Sequence, residues 1–463
     1  MYQFSSKLKT WAIALMVLGA LGVGYGFLTS PSNLEEAKEM MHAAEDSHGG
    51  GHGEAEAHET SEHHEDAQSD HSEHKDMDHA AEGHEEAGHG DAHAEHVFHQ
   101  LQNRPWSAFY VALFFFFALT LGVLAFLAIQ RVAQSGWSIV LFRVMEGITG
   151  NLLPITIILF VFLLLSAGHL NHLFVWMNPE NFDPTSPNYD PVVDGKSFWL
   201  NIPFWIVRAV IYITGWNLYR YFTRKLSMAQ DESNDLVNYH KNWRLSVGFL
   251  LFFMLTESMM SWDWIMSLDP HWFSTLFGWY ILASFLVCSL TVIALVTVVL
   301  KSKGYLEIVN DSHLHDLAKF MFGFSVFWTY LWFSQFMLIW YADMPEETTY
   351  FAQRFAEFKL PFLAMVVMNF IFPVLLLINS DYKRIPWFIV TAGIVILAGH
   401  YIDFFVMIMP GTVGGSWSFG IPEIGSLLFF AGLFIYTVFN SLSKAPLVLK
   451  KNPFLKESEQ FHY

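Results

Sequence analysis

Ten stretches of this chain are apolar for long enough that a helix rising about 1.5 Å per residue would cross a hydrocarbon layer of about 30 Å. They fall near residues 11–29, 106–130, 137–167, 199–222, 244–268, 274–301, 315–342, 360–379, 386–409 and 423–442. The composition agrees: 53% hydrophobic and 17% aromatic side chains, with a mean hydropathy of +0.33, lie far from an ordinary soluble domain. The chain is therefore expected to be an all-α integral membrane protein with ten transmembrane helices. Its expected divisions are an N-terminal span (1–29), a His/Asp/Glu-rich low-complexity segment (30–104), a nine-helix membrane body (105–442) and a C-terminal tail (443–463). Within it, spans two to five and six to nine are expected to form two four-helix bundles, flanked by spans one and ten.

Positive charge near helix ends marks the cytoplasmic side. With the N-terminus inside, sixteen lysines and arginines fall on the inner ends and loops, from Lys7 and Lys9 to Lys450, Lys451 and Lys456. Six fall outside: Lys38, Lys75, Arg104, Lys196, Arg354 and Lys359. Both termini are thus expected in the cytoplasm. The first span follows two lysines like a secretory signal, but it has no A-x-A-like cleavage site and is read as a retained helix.

The net charge of −18 is local. Residues 35–95 carry twenty acidic side chains against Lys38 and Lys75, so this tract accounts for all of it and the membrane body is neutral overall. Fourteen of the 22 histidines lie between His42 and His99. Such a tract can chelate zinc, copper or nickel weakly, or act as a solvated, self-repelling spacer or strap. Its His-x-x-His occurrences, His71 to His74 and His93 to His96, are no more than chance supplies in so rich a tract.

Charged side chains inside a bilayer cost at least about 2.5 kcal/mol each on insertion scales, so each is a functional candidate. Interhelical polar links and snorkelling side chains are the plainer alternative. Glu257 stands deep in the fifth span with no base within one turn in sequence. Burial disfavours a charged carboxyl, which suits a group exchanging protons near neutral pH; a protonated structural link is the alternative. Asp263 follows six residues on, nearer the outside. Asp269 and Pro270 read as a turn with Asp269 as a cap, and His271 as an interfacial residue among Trp262, Trp264 and Trp272, themselves expected in an aromatic belt. Asp263 and His271 are candidates for proton release or for a quinone-facing pocket.

In "GHYIDFF" of the ninth span, His400 and Asp403 are three apart and share a helix face. Histidine titrates near neutral pH, so the pair is either a proton relay or a structural hydrogen bond. Arg143 and Glu146, also three apart, are expected as a plain salt bridge at the inner interface. Arg208, in the fourth span, is a candidate partner for Glu257 or Asp263. "HLHDLAKF" brings His315, Asp316 and Lys319, with His313, to the cytoplasmic mouth of the seventh span, as a proton inlet or a polar helix start. Titratable groups therefore occur at inner, middle and outer depths, as a proton pathway requires.

The single cysteine, Cys288, excludes a disulfide framework, a thiolate cluster and covalent haem attachment within this chain. Only His400 is deeply placed, whereas a b-type cytochrome needs pairs of intramembrane histidines. No phosphate loop is present. No catalytic, cofactor-binding or metal-binding residue is assigned.

The stretches "SWDWIMSLDPHWFSTLFGWY" (261–280) and "HLHDLAKFMFGFSVFWTYLWFSQFMLIWYADMPEETTYF" (313–351) resemble the F-type membrane subunit of bacterial alternative complex III, an NrfD-like (polysulfide-reductase-like) protein. The resemblance extends over about 100–445; the His-rich tract has no counterpart in it. It implies two four-helix bundles in the inner membrane and a cofactor-free subunit of a quinol:cytochrome c or quinol:electron-acceptor oxidoreductase, supporting proton translocation and assembly. It also implies partners: multihaem and monohaem cytochrome c subunits, an iron-sulfur subunit and a second NrfD-like subunit, with a terminal oxidase as a further candidate. Haem c and iron-sulfur clusters would belong to those partners, and quinol remains a candidate ligand. Asp263 and His271 would then be outer stations of a route beginning near Asp316 and Lys319. Two other readings stay open: a quinol site within this chain, and an independent secondary carrier of a cation or solute.

Overall fold

The computed structural model of the protein describes residues 2–36, Lys38 and residues 82–462. Among these the chain is helical, with no strand. The helices named below are α1 (Ser6–Leu28), α2 (Glu82–Val132), α3 (Phe142–Ile148), α4 (Leu152–Ala167), α5 (Ile202–Glu232), α6 (Val237–Trp264), α7 (Leu276–Ser302), α8 (Asp311–Ala342), α9 (Pro345–Ala356), α10 (Lys359–Val366), α11 (Phe372–Leu377), α12 (Pro386–Val413), α13 (Ile421–Leu442) and α14 (Leu455–Glu459). Residues 29–102 form one compact unit; the body, formed by the remaining chain, is a second and carries all that follows.

Nine helical segments among the described residues are long and apolar enough to cross a membrane. The span expected at 199–222 is helical as well, as α5, but Arg208 and Asn217 interrupt its apolar half and residues 219–232 are largely polar. That lowers its hydropathy below that of the other nine. The chain is an all-α integral membrane protein, as its sequence predicts, with the count of ten resting on α5. One boundary moves: α2 begins at Glu82, inside the stretch read as low complexity. His42, His71 and His74 lie outside the described residues, and so does their expected role.

α2 and α7 form the centre, each 94% buried along its apolar stretch. A helix apolar on all sides has to be enclosed by others. They meet backbone to backbone because Gly122 has no side chain: a Cβ there would lie 2.4 Å from the carbonyl oxygen of Phe285. Phe114 and Phe117 of α2 pack on Phe285 of α7, and Phe114 also on Phe404 of α12. α4, α5 and α6 pack in sequence on one side; on the other, α8 and α12 pack on α7, with α10 and α11 against α12 and α11 also against α8. α1 pairs with α13, where Gly22 faces Gly425 closely enough that a Cβ would sit 2.8 Å from its partner's Cα; small residues of this kind let membrane helices touch.

Tyr2 packs on Tyr305 and Phe439, 5.0 and 5.8 Å between ring centres. At the other terminus Ser458 donates to the Trp137 carbonyl at 2.8 Å, and its own carbonyl meets His313 Nε2 at 3.0 Å. Both termini therefore lie at one end of the bundle, here the termini end. The C-terminal tail is docked there: the Lys450 N–H donates to Asp231 at 3.0 Å and Asn310 Nδ2 to the Phe461 carbonyl at 2.6 Å.

Candidate functional site

Buried polar groups divide between the two sides of the bundle. On the α2 to α6 side, α5 and α6 run antiparallel and bring Arg208 against Asp263. The guanidinium grips the carboxylate with both prongs, Nε to Oδ2 at 2.7 Å and Nη2 to Oδ1 at 2.8 Å. Trp199 Nε1 and Tyr212 Oη donate to the same carboxylate at 2.8 and 3.2 Å. Arg208 lies 4.2 Å from the Trp199 ring centre and 4.3 Å from that of Phe204. Of the two partners expected for Arg208, Asp263 is the one it meets.

At the termini end of the same side, Arg143 and Glu146 form the expected salt bridge, but not a plain one. Both are buried, 2% and 1% exposed, in a network built by three helices. Glu146 accepts from Arg131 at 2.6 Å, Arg143 at 2.8 Å and Arg224 at 3.1 Å, and Arg143 reaches on to Asp231 at 2.5 Å. Arg131 also donates to Thr223. The difference arises because residues 136–141 form a 3-10 turn ahead of α3, and the docked tail covers this end of the bundle. Arginine does not lose its proton in a protein, so both clusters hold fixed charge.

The α7 to α12 side holds titratable partners instead. His400 and Asp403 are fully buried on α12, with Nδ1 of the imidazole 3.2 Å from Oδ2. Asp403 also accepts from Tyr280, from Ser284 at 2.9 Å and from Trp328 Nε1 at 3.0 Å. His400 Nε2 has no hydrogen-bond partner among the described residues. Nearby Asn369 sits in a π-helical turn between α10 and α11, and both its amide atoms are buried without partners among the described residues. It fits only because residue 399 is glycine: a Cβ there would come within 2.1 Å of Asn369 Oδ1. π-turns of this kind occur often at functional sites.

Along α8, Ser325, Trp328, Trp332 and Gln335 follow at spacings of three and four and so share one face. All but Trp328 carry a buried polar atom without a partner among the described residues. Ten residues before Ser325, toward the termini end, stand His315 and Asp316. Asp316 pairs with Lys319 at 2.6 Å and lies 3.7 Å from His315 Nδ1, while His315 Nε2 contacts Ser380 at 3.1 Å. From His315 to Gln335 the helix rises about 30 Å, the depth of a hydrocarbon layer.

The remaining candidates are not joined to this stripe. Glu257 is 1% exposed, and its Oε1 has no partner among the described residues. His271 is exposed on the far end of the body and clasps Asp190 at 2.5 Å. Burial works to raise the Asp190 carboxyl, but the Val193 N–H, His271 and the Val192 N–H outweigh it and hold the group below its usual range. Asp269 caps its turn through its backbone, accepting the Trp272 N–H at 3.2 Å. The expected tryptophan belt is packed inside: Trp264 is fully buried and Trp272 stacks on Tyr350 at 4.0 Å. Beside Trp272 opens a cavity of about 250 Å³ lined by Lys196, Trp199, Trp262, Met266, Trp272 and Phe273 among others. The indole N–H groups of Trp262 and Trp272 have no partner among the described residues.

Sequence reading missed Tyr280, Trp328, Asn369, Asp231 and the buried role of Arg131, Arg224 and Arg354. Tyrosine, tryptophan and asparagine in an apolar span carry no charge to flag them, and the arginines read simply as topology signals. Among the described residues no cluster of three or more histidine, cysteine, aspartate or glutamate side chains is arranged to hold a metal ion. The chain matches no protein-family model, and it matches no curated protein.

Proposed function

We propose that this chain is a cofactor-free membrane subunit of a quinol-oxidising electron-transfer complex of the alternative complex III type, and that it moves protons through its α7 to α12 side. The observation that carries the proposal is the polar stripe of α8 beside His400 and Asp403. Burying hydrogen-bonding groups in an apolar bundle is costly, and here they recur along one face from Ser325 to Gln335, with the His315 cluster on the same helix toward the termini end. In this reading His315, Asp316 and Lys319 form the inlet at the termini end. Asp403, saturated by four donors, is a positioning residue that fixes Nδ1 of His400. Nε2, which has no partner among the described residues, is then the atom that takes and releases the proton. Arg208 with Asp263, and Arg143 with Glu146, are structural fasteners, and Asp263 and His271 drop out of the route.

The excess of lysine and arginine on the inner loops, together with both termini at one end, supports a multi-pass protein of a bacterial inner membrane with its termini in the cytoplasm. Cytochrome c, iron-sulfur and second NrfD-like subunits are the proposed partners. The test is a reduced-minus-oxidised optical spectrum of the protein extracted gently through a C-terminal tag. Strong c-type haem bands are expected from co-purifying partners, because a chain with one cysteine outside any C-x-x-C-H motif cannot carry them. A flat spectrum from an intact, monodisperse preparation would point to an independent carrier and defeat the proposal.

The aromatic cavity favours a second reading, in which this chain has its own quinol site. Two unpartnered indole donors and Lys196 would meet the carbonyls of a quinone ring held between Trp199, Trp262 and Phe273. A short-chain quinone should then quench tryptophan emission, and Trp272→Phe should weaken that quenching. Equal quenching of the native and variant proteins would remove this reading.

A further inference from the structure

Arg354 is the one arginine of the α7 to α12 side that is deeply buried. It stands on α9, a helix outside the candidate spans that links α8 to α10 at the far end of the body. Its exposure is 3%. Nη1 donates to the Tyr350 carbonyl at 2.7 Å, and the guanidinium carbon lies 3.3 Å from the centre of the Tyr350 ring. Nε has no partner among the described residues. Arg208, Arg143 and Arg131 each close on a carboxylate; among the described residues Arg354 reaches none.

The side chain is held by packing instead. α9 turns Tyr350, Phe351 and Arg354 inward. Tyr350 stacks on Trp272, while Phe351 packs edge-on against Phe336 of α8 and Phe362 of α10. The charged or titratable groups near enough to act on Arg354 are Tyr350, Asp269 and Tyr280. Tyr280 is the residue whose hydroxyl binds Asp403. A permanent positive charge is thus fixed just beyond the station formed by Asp403 and His400, on the side away from the His315 inlet. A guanidinium in a constriction is a known way to exclude protons and cations.

We propose that Arg354 is the electrostatic seal of the proton route, keeping hydronium and alkali cations from entering at the far end. The inference rests on the reading that protons pass through His400. The charge itself does the work: among the described residues no carboxylate closes on it, Asp269 acting only from beyond ion-pair distance, and its field falls off slowly in a low-dielectric surround. The ring of Tyr350 positions that charge without cancelling it.

The test uses the full chain in liposomes, with a potassium diffusion potential driving protons toward an enclosed pH dye. Arg354→Gln should raise passive proton influx on the order of tenfold, Arg354→Lys should stay tight, and adding His400→Phe to Arg354→Gln should abolish the new leak. Arg354→His, measured on one preparation across pH, should seal at low pH and leak as the imidazole loses its charge. That profile does not depend on comparing the fold of two proteins. A tight Arg354→Gln variant overturns the seal, as does a leak of equal size in the Gln, Lys and His variants at every pH, which would mark a packing defect. A leak that persists in Arg354→Gln with His400→Phe would instead sink the underlying route. A tight Arg354→Gln variant, in a complex whose proton release His400→Phe still impairs, would sink the seal alone.

Discussion

Asp263 and Asp403 are both fully buried, and each accepts hydrogen bonds from one tyrosine and one tryptophan. They differ in the partner that completes the set. Asp263 faces the two-pronged guanidinium of Arg208, whose charge is permanent at any pH a cell meets. Asp403 faces the imidazole of His400 at 3.2 Å, a ring that carries no obligatory charge. The same carboxylate is therefore a fastener on one side of the bundle and the holder of a titratable group on the other. The termini end repeats the contrast, with three arginines around Glu146 on one side and His315, Asp316 and Lys319 on the other.

The contrast is broken most directly by removing charge from the fasteners. Asp263→Asn leaves Arg208 buried without a counter-charge and should cost about 3–5 kcal/mol of stability. Glu146→Gln, leaving Arg131 and Arg224 without their carboxylate while Arg143 keeps Asp231, should cost about as much. Asp403→Asn strands no arginine and leaves mismatched hydrogen bonds, so about 1–3 kcal/mol is expected. Thermal or denaturant unfolding in one detergent would rank the three. Equal losses at Asp263 and Asp403 would erase the distinction. Replacing both Arg208 and Asp263 by Met and Leu should recover most of the loss, since an apolar pair of similar volume often matches a buried ion pair; a double variant as unstable as Asp263→Asn would assign the pair a role beyond fastening.

An effect of the same size as at Asp403 is expected at Gly399→Ala. The added methyl group collides with Asn369 and should cost about 1–3 kcal/mol, together with a loss of proton movement that an alanine at exposed, open Gly248 would not cause. The smallest effect concerns Asp190 and His271. The Asp190 carboxyl sits below its usual range when folded, so its contribution is present above the unfolded pKa of about 3.9 and is lost as pH falls through the folded value. The clasp is solvent-exposed and worth under about 1 kcal/mol. His271→Asn should flatten this acid limb of the stability profile and leave proton movement unchanged; a loss of proton movement would return His271 to the route.

Much of this was legible in the sequence, and the reason is physical. Helix-length apolar runs announce themselves, and an i, i+3 spacing places His400 beside Asp403 and Arg143 beside Glu146 whatever the tertiary fold. The partners across helices were not legible. Nothing local joins Tyr280 to Asp403 over 123 residues or Arg224 to Glu146 over 78. Asp263 and Asp316 looked like stations of one route because depth can be counted along a helix, whereas the side of the bundle cannot. Arg354 was misread for the same reason: the charge that suits a solvent-facing loop also suits a short helix folded back into the body.

The most direct test of the central claim is proton release per electron by the tagged, liposome-reconstituted complex during quinol oxidation, with native protein and the His400→Phe variant side by side. The account predicts that His400→Phe keeps electron transfer while losing most of the proton movement carried by this subunit. Unchanged proton stoichiometry in that variant, with the complex intact, would contradict it.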